Sequence, residues 1–291
     1  MKRYILITSL ILLNITIALS QINTKDIEKI IEKKKATVGV AIIHKDKVYT
    51  TDNENKYPLM SAFKFHVSVT ALKKMEKENI ALDSMVCIPK EKMHTNTYSP
   101  LRDKYPNQDI NISYKEIIEY TISISDNNTC DFLIDFVGGI DKVNSYINSL
   151  GIDGFSFSET EDEMHKDIMN SYKNWSTPLS MAQLIKKVYT ENILSDEYFN
   201  FLEKAMIDTS SGADKLKAGL PENVKFGHKT GHSDRRPDGV QIGEADAGVI
   251  HLPNGEKCYL VVFIKDSKES DKDNAKIMSD IAKTVYNSTM K

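Results

Sequence analysis

The apolar positions of this chain keep different periods in different stretches, and the changes divide it into three parts. DIEKIIEKKK has the 3.6-residue spacing of a short amphipathic helix. ATVGVAIIHKD and KVYTT follow as short β-branched runs, which predict two strands joined by a tight turn. The middle keeps helical spacing over Ser61 to about Asn79, Tyr114–Ile124, Thr129–Phe136, Ile140–Leu150, Pro178–Tyr189 and Ser195–Met206. In the last third KFGHKTGHS alternates, and DAGVIHLPNGEKCYLVVFIKDS predicts a hairpin turning at Pro253-Asn254-Gly255. A helix over about Asn274–Asn287 closes the chain. Strands at both ends with helices between them predict an α/β (α+β) protein, in which an antiparallel sheet built from both termini is flanked by helices and carries an inserted all-α domain. The expected boundaries are 21–57 with 212–291 for the α/β part and 58–211 for the helical part, with a cleft where they meet.

The first residues, MKRYILITSLILLNITIALSQ, fit neither part. Lys2 and Arg3 precede an apolar stretch broken by Thr8, Ser9, Asn14 and Thr16, and Ala18-Leu19-Ser20 supplies small residues at cleavage spacing. This predicts a secretory signal peptide over 1–20, and so a secreted, periplasmic protein without a stable membrane anchor. No cysteine lies near the cut, so a lipid anchor is not indicated.

Composition adds a few exclusions. The 291 residues are 41% hydrophobic and 27% charged, enough for a large core. Without Lys2 and Arg3, 36 of the 38 basic residues face 41 acidic ones, a net charge of −5. The basic residues are interleaved with acids, as in KDSKESDKD, so no nucleic-acid partner is expected. Cys87, Cys130 and Cys258 form no CxxC motif and are expected to be buried free thiols. Trp175 is expected in the core. A monomer is expected.

Candidate chemistry begins in PLMSAFKFHVSVTALKKM, residues 58–75. Ser61 and Lys64 share a helix face, near an N-terminus whose free N–H groups favour developing negative charge. Among Met60, Phe63, Phe65 and Val67, a lysine is neutral often enough to help deprotonate the hydroxyl. The spacing alone is weak evidence, since Ser288–Lys291 repeats it at the tail. ISDNNTCD sets Ser125, Asp126 and Asn127 in a turn between helices, where they also fit an N-cap. GHKTGHSD sets Lys229 on a strand, with Gly231 allowing close approach of a substrate and a following N–H able to donate to an oxyanion. His228 and His232 are four apart, but no third ligand is near, so no metal is expected.

The ordered set S-x-x-K, S-D-N, K-T-G, with Ser61, Ser125 and Lys229 separated by 64 and 104 residues, resembles the class A serine β-lactamases. The resemblance covers essentially the whole mature chain and implies the serine β-lactamase/penicillin-binding-protein fold. It implies Ser61 as acylated nucleophile, Lys64 as its proton partner and Ser125 as proton donor to the leaving nitrogen. Asn127 would bind the substrate's side-chain amide, Lys229 and Thr230 its carboxylate, and the N–H groups of Ser61 and His232 the oxyanion. Tyr98 would line the cleft mouth. No cofactor is implied.

A deacylating glutamate is also implied, and FSETEDEMHKDIMNSYKNW offers Glu159, Glu161 and Glu163. Family spacing selects Glu161, 36 residues after Ser125, and places His165 where most members hold the water with asparagine. Asp162 stands where many members have proline, and Glu159 and Asn174 where many have an arginine–aspartate pair, so this loop must be held in another way. A divergent branch rich in cephalosporinases and extended-spectrum enzymes looks closest. There, Lys215 falls where an arginine often supports the carboxylate site, with Arg235 and Arg236 as alternatives. A penicillin-binding DD-peptidase, without an efficient deacylating base, and a non-turnover β-lactam sensor, with a membrane segment, are the competing readings.

Overall fold

In a computed structural model of the chain, residues 22 and 24–290 are described. The expected signal peptide and Lys291 of the tail motif lie outside the described residues. The chain runs through α1 (Thr24–Ile31), β1 (Thr37–His44), β2 (Lys47–Thr51), the two-residue β3 (Tyr57–Pro58), a 3₁₀ turn over Met60–Phe63 and α2 (Lys64–Glu78). Next come β4 (Met85–Ile88), α3 (Pro100–Lys104), β5 (Ile110–Ser113), α4 (Tyr114–Ser123), α5 (Asn127–Val137) and α6 (Ile140–Ser149). β6 (Phe155–Ser156), α7 (Glu161–Lys166), a 3₁₀ segment over Ile168–Lys173 and β7 (Trp175–Ser176) lead to α8 (Pro178–Thr190) and α9 (Asp196–Ile207). The chain ends with β8 (Phe226–His232), β9 (Gln241–His251), β10 (Lys257–Ser267) and α10 (Asp271–Thr289).

Strands from both ends form one antiparallel sheet in the order β2-β1-β10-β9-β8, so the fold is α+β as expected. Both sheet faces are covered, which is why β1 reads as an unbroken apolar run and does not alternate. Val38, Val40 and Ile42 pack with Ile27 of α1 and with Ile277, Ile281 and Val285 of α10. Ala41 and Ile43 face the helical side, with Phe63, Phe65 and Met181. Here α2 is buried on nearly every side, as its apolar residues around the whole circumference require. Lys64 therefore enters the interior whatever its charge prefers.

Several boundaries differ from the sequence expectations. The helix expected from Ser61 begins as a 3₁₀ turn and becomes α-helical only at Lys64. β9 begins at Gln241, ahead of the expected DAGVIHL run. The β4–β5 ribbon was not foreseen, because its short strands lie far apart in sequence. It also corrects one cysteine: Cys87 lies on its outer face and is exposed, while Cys130 and Cys258 are buried free thiols. Trp175 is only half-buried, with the Lys56 ammonium 4.2 Å from its ring centroid.

Candidate active site

The turn carrying Ser61 is wedged between α2 and the edge strand β8. Met60 takes a left-handed backbone, φ 47°, directly before the serine, an uncommon state for a side-chain-bearing residue. Gly231 makes the wedge possible: a Cβ there would stand 2.3 Å from the Leu59 carbonyl and 3.0 Å from the Ala62 nitrogen. Its absent side chain thus serves strand-to-turn contact as well as the substrate approach inferred from sequence. Two residues on, Ser233 N–H donates to the Gly243 carbonyl across the ladder. By alternation, the His232 N–H points off the sheet edge towards the Ser61 turn.

Lys64, fully buried, gathers the remaining groups. Its Nζ donates to Ser61 Oγ at 3.2 Å, to the Ser125 carbonyl at 2.8 Å and to Asn127 Oδ1. It also lies 3.0 Å from Glu161 Oε1, which receives no well-directed hydrogen bond and keeps acceptor capacity. Ser125, another left-handed residue at φ 65°, takes a hydrogen bond on Oγ from Lys229 Nζ at 2.9 Å. Burial, and then the like charge of Lys64, push the Lys229 ammonium well below the usual lysine range. Thr230 Oγ1 lies 2.6 Å from Ser211 Oγ.

Asp126 holds the turn in place. It caps α5 through Thr129 N–H and accepts from Ser99 Oγ and Leu101 N–H. It ties the segment bearing Tyr98 to the SDN turn, and Asn127 Nδ2 donates to Thr97 Oγ1 at 2.7 Å in the same joint. Asp126 is thus the N-cap of α5, while its neighbours Ser125 and Asn127 line the cleft.

The three loop glutamates separate cleanly. Glu159 pairs with Lys173 at 2.9 Å, and Glu163 closes a capping box with Thr160 at the start of α7. Glu161 alone is buried against Lys64. His165, one turn later, approaches the Glu161 carbonyl with Nδ1 at 2.8 Å and Thr97 Oγ1 with Nε2 at 3.2 Å. Both ring nitrogens thus meet protein atoms, and the ring braces α7 against the Thr97 segment.

The loop is held by Asp131, which sequence reasoning did not select, and by Asn174, which it named only as half of an absent pair. Asp131 accepts the N–H groups of Glu161 and Asp162 at 2.8 and 2.9 Å. Asn174 Oδ1 accepts from Ser158 and Glu159 N–H, and its Nδ2 returns a hydrogen bond to the Glu159 carbonyl. Burial, and then the Glu161 charge, push the Asp131 carboxyl up to about 7 from 3.8. Its folded titration point lies above the unfolded one, so its stabilising contribution shrinks as pH rises from 3.8 to 7. Asp131→Ala should cost about 1–3 kcal/mol through two orphaned N–H groups. Thermal unfolding should show a larger deficit at pH 5 than at pH 8. An equal or reversed deficit would refute the clamp.

On the opposite wall Lys215 pairs with buried Glu244, whose other oxygen takes His232 Nδ1 at 3.0 Å. Arg235 and Arg236, the alternatives to Lys215, turn elsewhere: Arg235 pairs with Asp271, and Arg236 with Asp238 and Tyr172. The cleft between the walls holds about 540 Å³ and is lined by Ser61, Ser125, Asn127, Glu161, Thr230 and His232. Tyr98 stands exposed at its mouth, and Met164, His165 and Ile168 add the loop side. Ten of the twelve site residues expected from sequence line this cleft, and buried Lys64 and Lys229 reach it through Ser61 and Ser125. No cluster of three or more metal-binding side chains exists among the described residues.

Comparison with known proteins gives one answer. The description of the Beta-lactamase enzyme family matches residues 23–289. A beta-lactamase of Bacteroides uniformis is 47% identical, the match covering 89% of this chain and 88% of that protein. The extended-spectrum beta-lactamase PER-1 of Pseudomonas aeruginosa is 33% identical over 95% of this chain and 90% of its own. Among solved structures, a class A beta-lactamase from Bacteroides cellulosilyticus superposes with a TM-score of 0.89 at 47% identity, covering 91% of this chain and 96% of that one.

Proposed function

The chain belongs to the beta-lactamase enzyme family, and we propose that it hydrolyses β-lactams through an acyl-enzyme on Ser61 that water, activated by Glu161, then releases. One observation carries this reading: a single buried ammonium, Lys64, lies within 3.5 Å of Ser61 Oγ, Ser125 Oγ and Glu161 Oε1. A proton leaving Ser61 Oγ can enter Lys64 Nζ in its amine form, and Glu161 Oε1, 3.0 Å away, then balances the ammonium charge. Oγ then bonds to the ring carbonyl carbon, while the N–H groups of Ser61 and His232 stabilise the oxyanion. The ring C–N bond breaks, and its nitrogen takes the Ser125 proton, which Lys64 restores with the one it received from Ser61. Lys229 and Thr230 hold the substrate carboxylate, with Lys215 behind them, and Asn127 holds the side-chain amide. In the second half Glu161 takes a proton from water, hydroxide adds to the ester carbonyl, and the carbon–Oγ bond breaks as Oγ is reprotonated.

Purified mature protein should turn over nitrocefin many times per enzyme. A single burst equal to the enzyme concentration would instead support the peptidase or sensor reading. No helix among the described residues is long and apolar enough to cross a membrane. We further propose export behind a signal peptide cut after about Ser20, a monomeric state, and the division into 21–57 with 212–291 around 58–211. Mass spectrometry of protein from the periplasm would locate the cut.

The loop lacks the usual arginine–aspartate brace, and the mouth carries Tyr98 and Ile168. This favours a roomy cleft, as does likeness to a relative named extended-spectrum. Catalytic efficiency should therefore be higher on cephalothin than on benzylpenicillin. The reverse order in steady-state kinetics would count against the open cleft.

A further inference from the structure

Glu244 has no part in the chemistry just described, yet its carboxylate is buried directly behind the cleft wall. His232 and Glu244 face each other across β8 and β9. They form a non-hydrogen-bonded pair, since the adjacent Ser233 and Gly243 carry the ladder bond, and such pairs bring side chains closest. The proton positions follow from a chain of amides. Ser267 Oγ donates to Asn274 Oδ1, and Asn274 Nδ2 donates to Gln241 Oε1. Gln241 must therefore turn Nε2 towards Glu244, donating at 2.8 Å there and at 3.3 Å to the Ser233 carbonyl. Both of its N–H bonds are then used, although Nε2 also lies 3.0 Å from His232 Nδ1. A bare Nδ1 lone pair facing the Glu244 carboxylate at 3.0 Å would be repulsive. Nδ1 therefore carries a proton and donates it to Glu244, and Nε2 stands on the solvent side of a half-exposed ring in the cleft.

We propose that Glu244 makes His232 a cationic, substrate-contacting residue whose Nε2–H binds the ring carboxylate of the β-lactam, with Glu244 as its positioning residue. The inference rests on the hydrolase reading for the identity of the ligand. Lys215 is committed to the second Glu244 oxygen, so its charge is largely neutralised locally. His232 then adds to this wall a positive charge that the Lys215–Glu244 pair does not supply. The groups acting on the ring are Glu244 from β9, Lys215 from the segment before β8, and Asp271 from the start of α10. The Glu244 hydrogen bond leads and raises the imidazole above its ordinary 6.5, against the effects of burial and Lys215. Burial alone would raise the Glu244 carboxyl, but His232 and Lys215 outweigh it and hold it below its ordinary range. The sign is therefore fixed. Binding through His232 is full while the ring is protonated and is lost as pH rises through its raised titration point.

Two measurements test this, one of them independent of turnover. In Ser61→Ala protein, NMR titration of the imidazole should show the His232 pKa rising when a cephalosporin acid is added. It should stay unchanged with the corresponding C4 methyl ester. No response to the acid, or an equal response to the ester, overturns the proposal. A positive response with no nitrocefin hydrolysis by the wild type would sustain this site and sink the hydrolase reading. Kinetics form the second arm, with His232→Gln, a half-exposed change that leaves the buried carboxylate its Lys215 partner. At pH 5.5 the wild type should exceed the variant about tenfold in kcat/KM on the acid, carried by KM, as for loss of a charge-assisted hydrogen bond. The gap should close within about twofold above the titration point and be absent with the ester. A gap that is independent of pH, or carried by kcat, would show a merely structural role. Glu244→Gln should lower the His232 pKa in the free protein, and an unmoved pKa would remove Glu244 from the proposal.

Discussion

Ser61→Ala is expected to abolish β-lactam hydrolysis, with a loss on the order of 10⁴-fold or more, the scale of losing a covalent nucleophile. No neighbouring group can substitute. Ser125, whose hydroxyl shares Lys64 with Ser61, is held by Lys229 at 2.9 Å and is needed to protonate the leaving nitrogen. The fold should tolerate the change, because Ser61 lies partly exposed at the cleft and Lys64 keeps its bonds to the Ser125 carbonyl and Asn127. Steady-state rates with nitrocefin, beside an unchanged melting temperature, would establish the point, and more than trace activity would sink the serine mechanism. The tail copy of the motif supplies the control. Ser288 lies on α10, donating to the Thr284 carbonyl at 2.8 Å, far in sequence from every site residue. Ser288→Ala should leave the rate unchanged.

Comparing the two Ser-x-x-Lys copies shows how much of the site was legible in the sequence. Local spacing alone could not separate them. What separates them is the company of SDN and KTG at long range, and the apolar run that buries α2. Groups that touch substrate recur as short, ordered motifs, so they could be read. Supporting groups could not, because their partners come from elsewhere in the chain. Asp131 looks like a helix residue one turn after an N-cap, and only the fold brings α7 against its two oxygens. Glu244 looks like a polar position in an alternating strand, and only the β8–β9 register sets it opposite His232. The fold divides in the same way. Long periodic elements were placed within a few residues, while β3, β6 and β7 are two-residue strands that exist only through one another. One helix was nonetheless within reach: Thr160-x-x-Glu163 is a capping box that marks the start of α7.

The glutamate assignment leads to the second large effect. Glu161→Gln should acylate and then stall, with deacylation slowed on the order of 10²-fold or more, the usual scale for losing a general base. The amide keeps the side chain's shape and a hydrogen-bonding partner for Lys64, but it cannot accept the proton of the attacking water. Intact-protein mass spectrometry should then show a persistent adduct on Ser61, where the wild type shows none at steady state. The neighbouring acids serve as internal controls because their partners are known. Glu159→Gln loses the Lys173 ion pair, and Glu163→Gln can keep its capping-box acceptor, so both should turn over nearly normally. Glu163→Ala should lower the melting temperature before it lowers the rate, through loss of a cap worth about 1 kcal/mol. His165→Ala should fall between these cases, since it frees the Glu161 carbonyl and loosens α7 while the base itself remains. An adduct that accumulates on Glu163→Gln and not on Glu161→Gln would overturn the assignment, because it would mean that α7 presents a different face to Lys64.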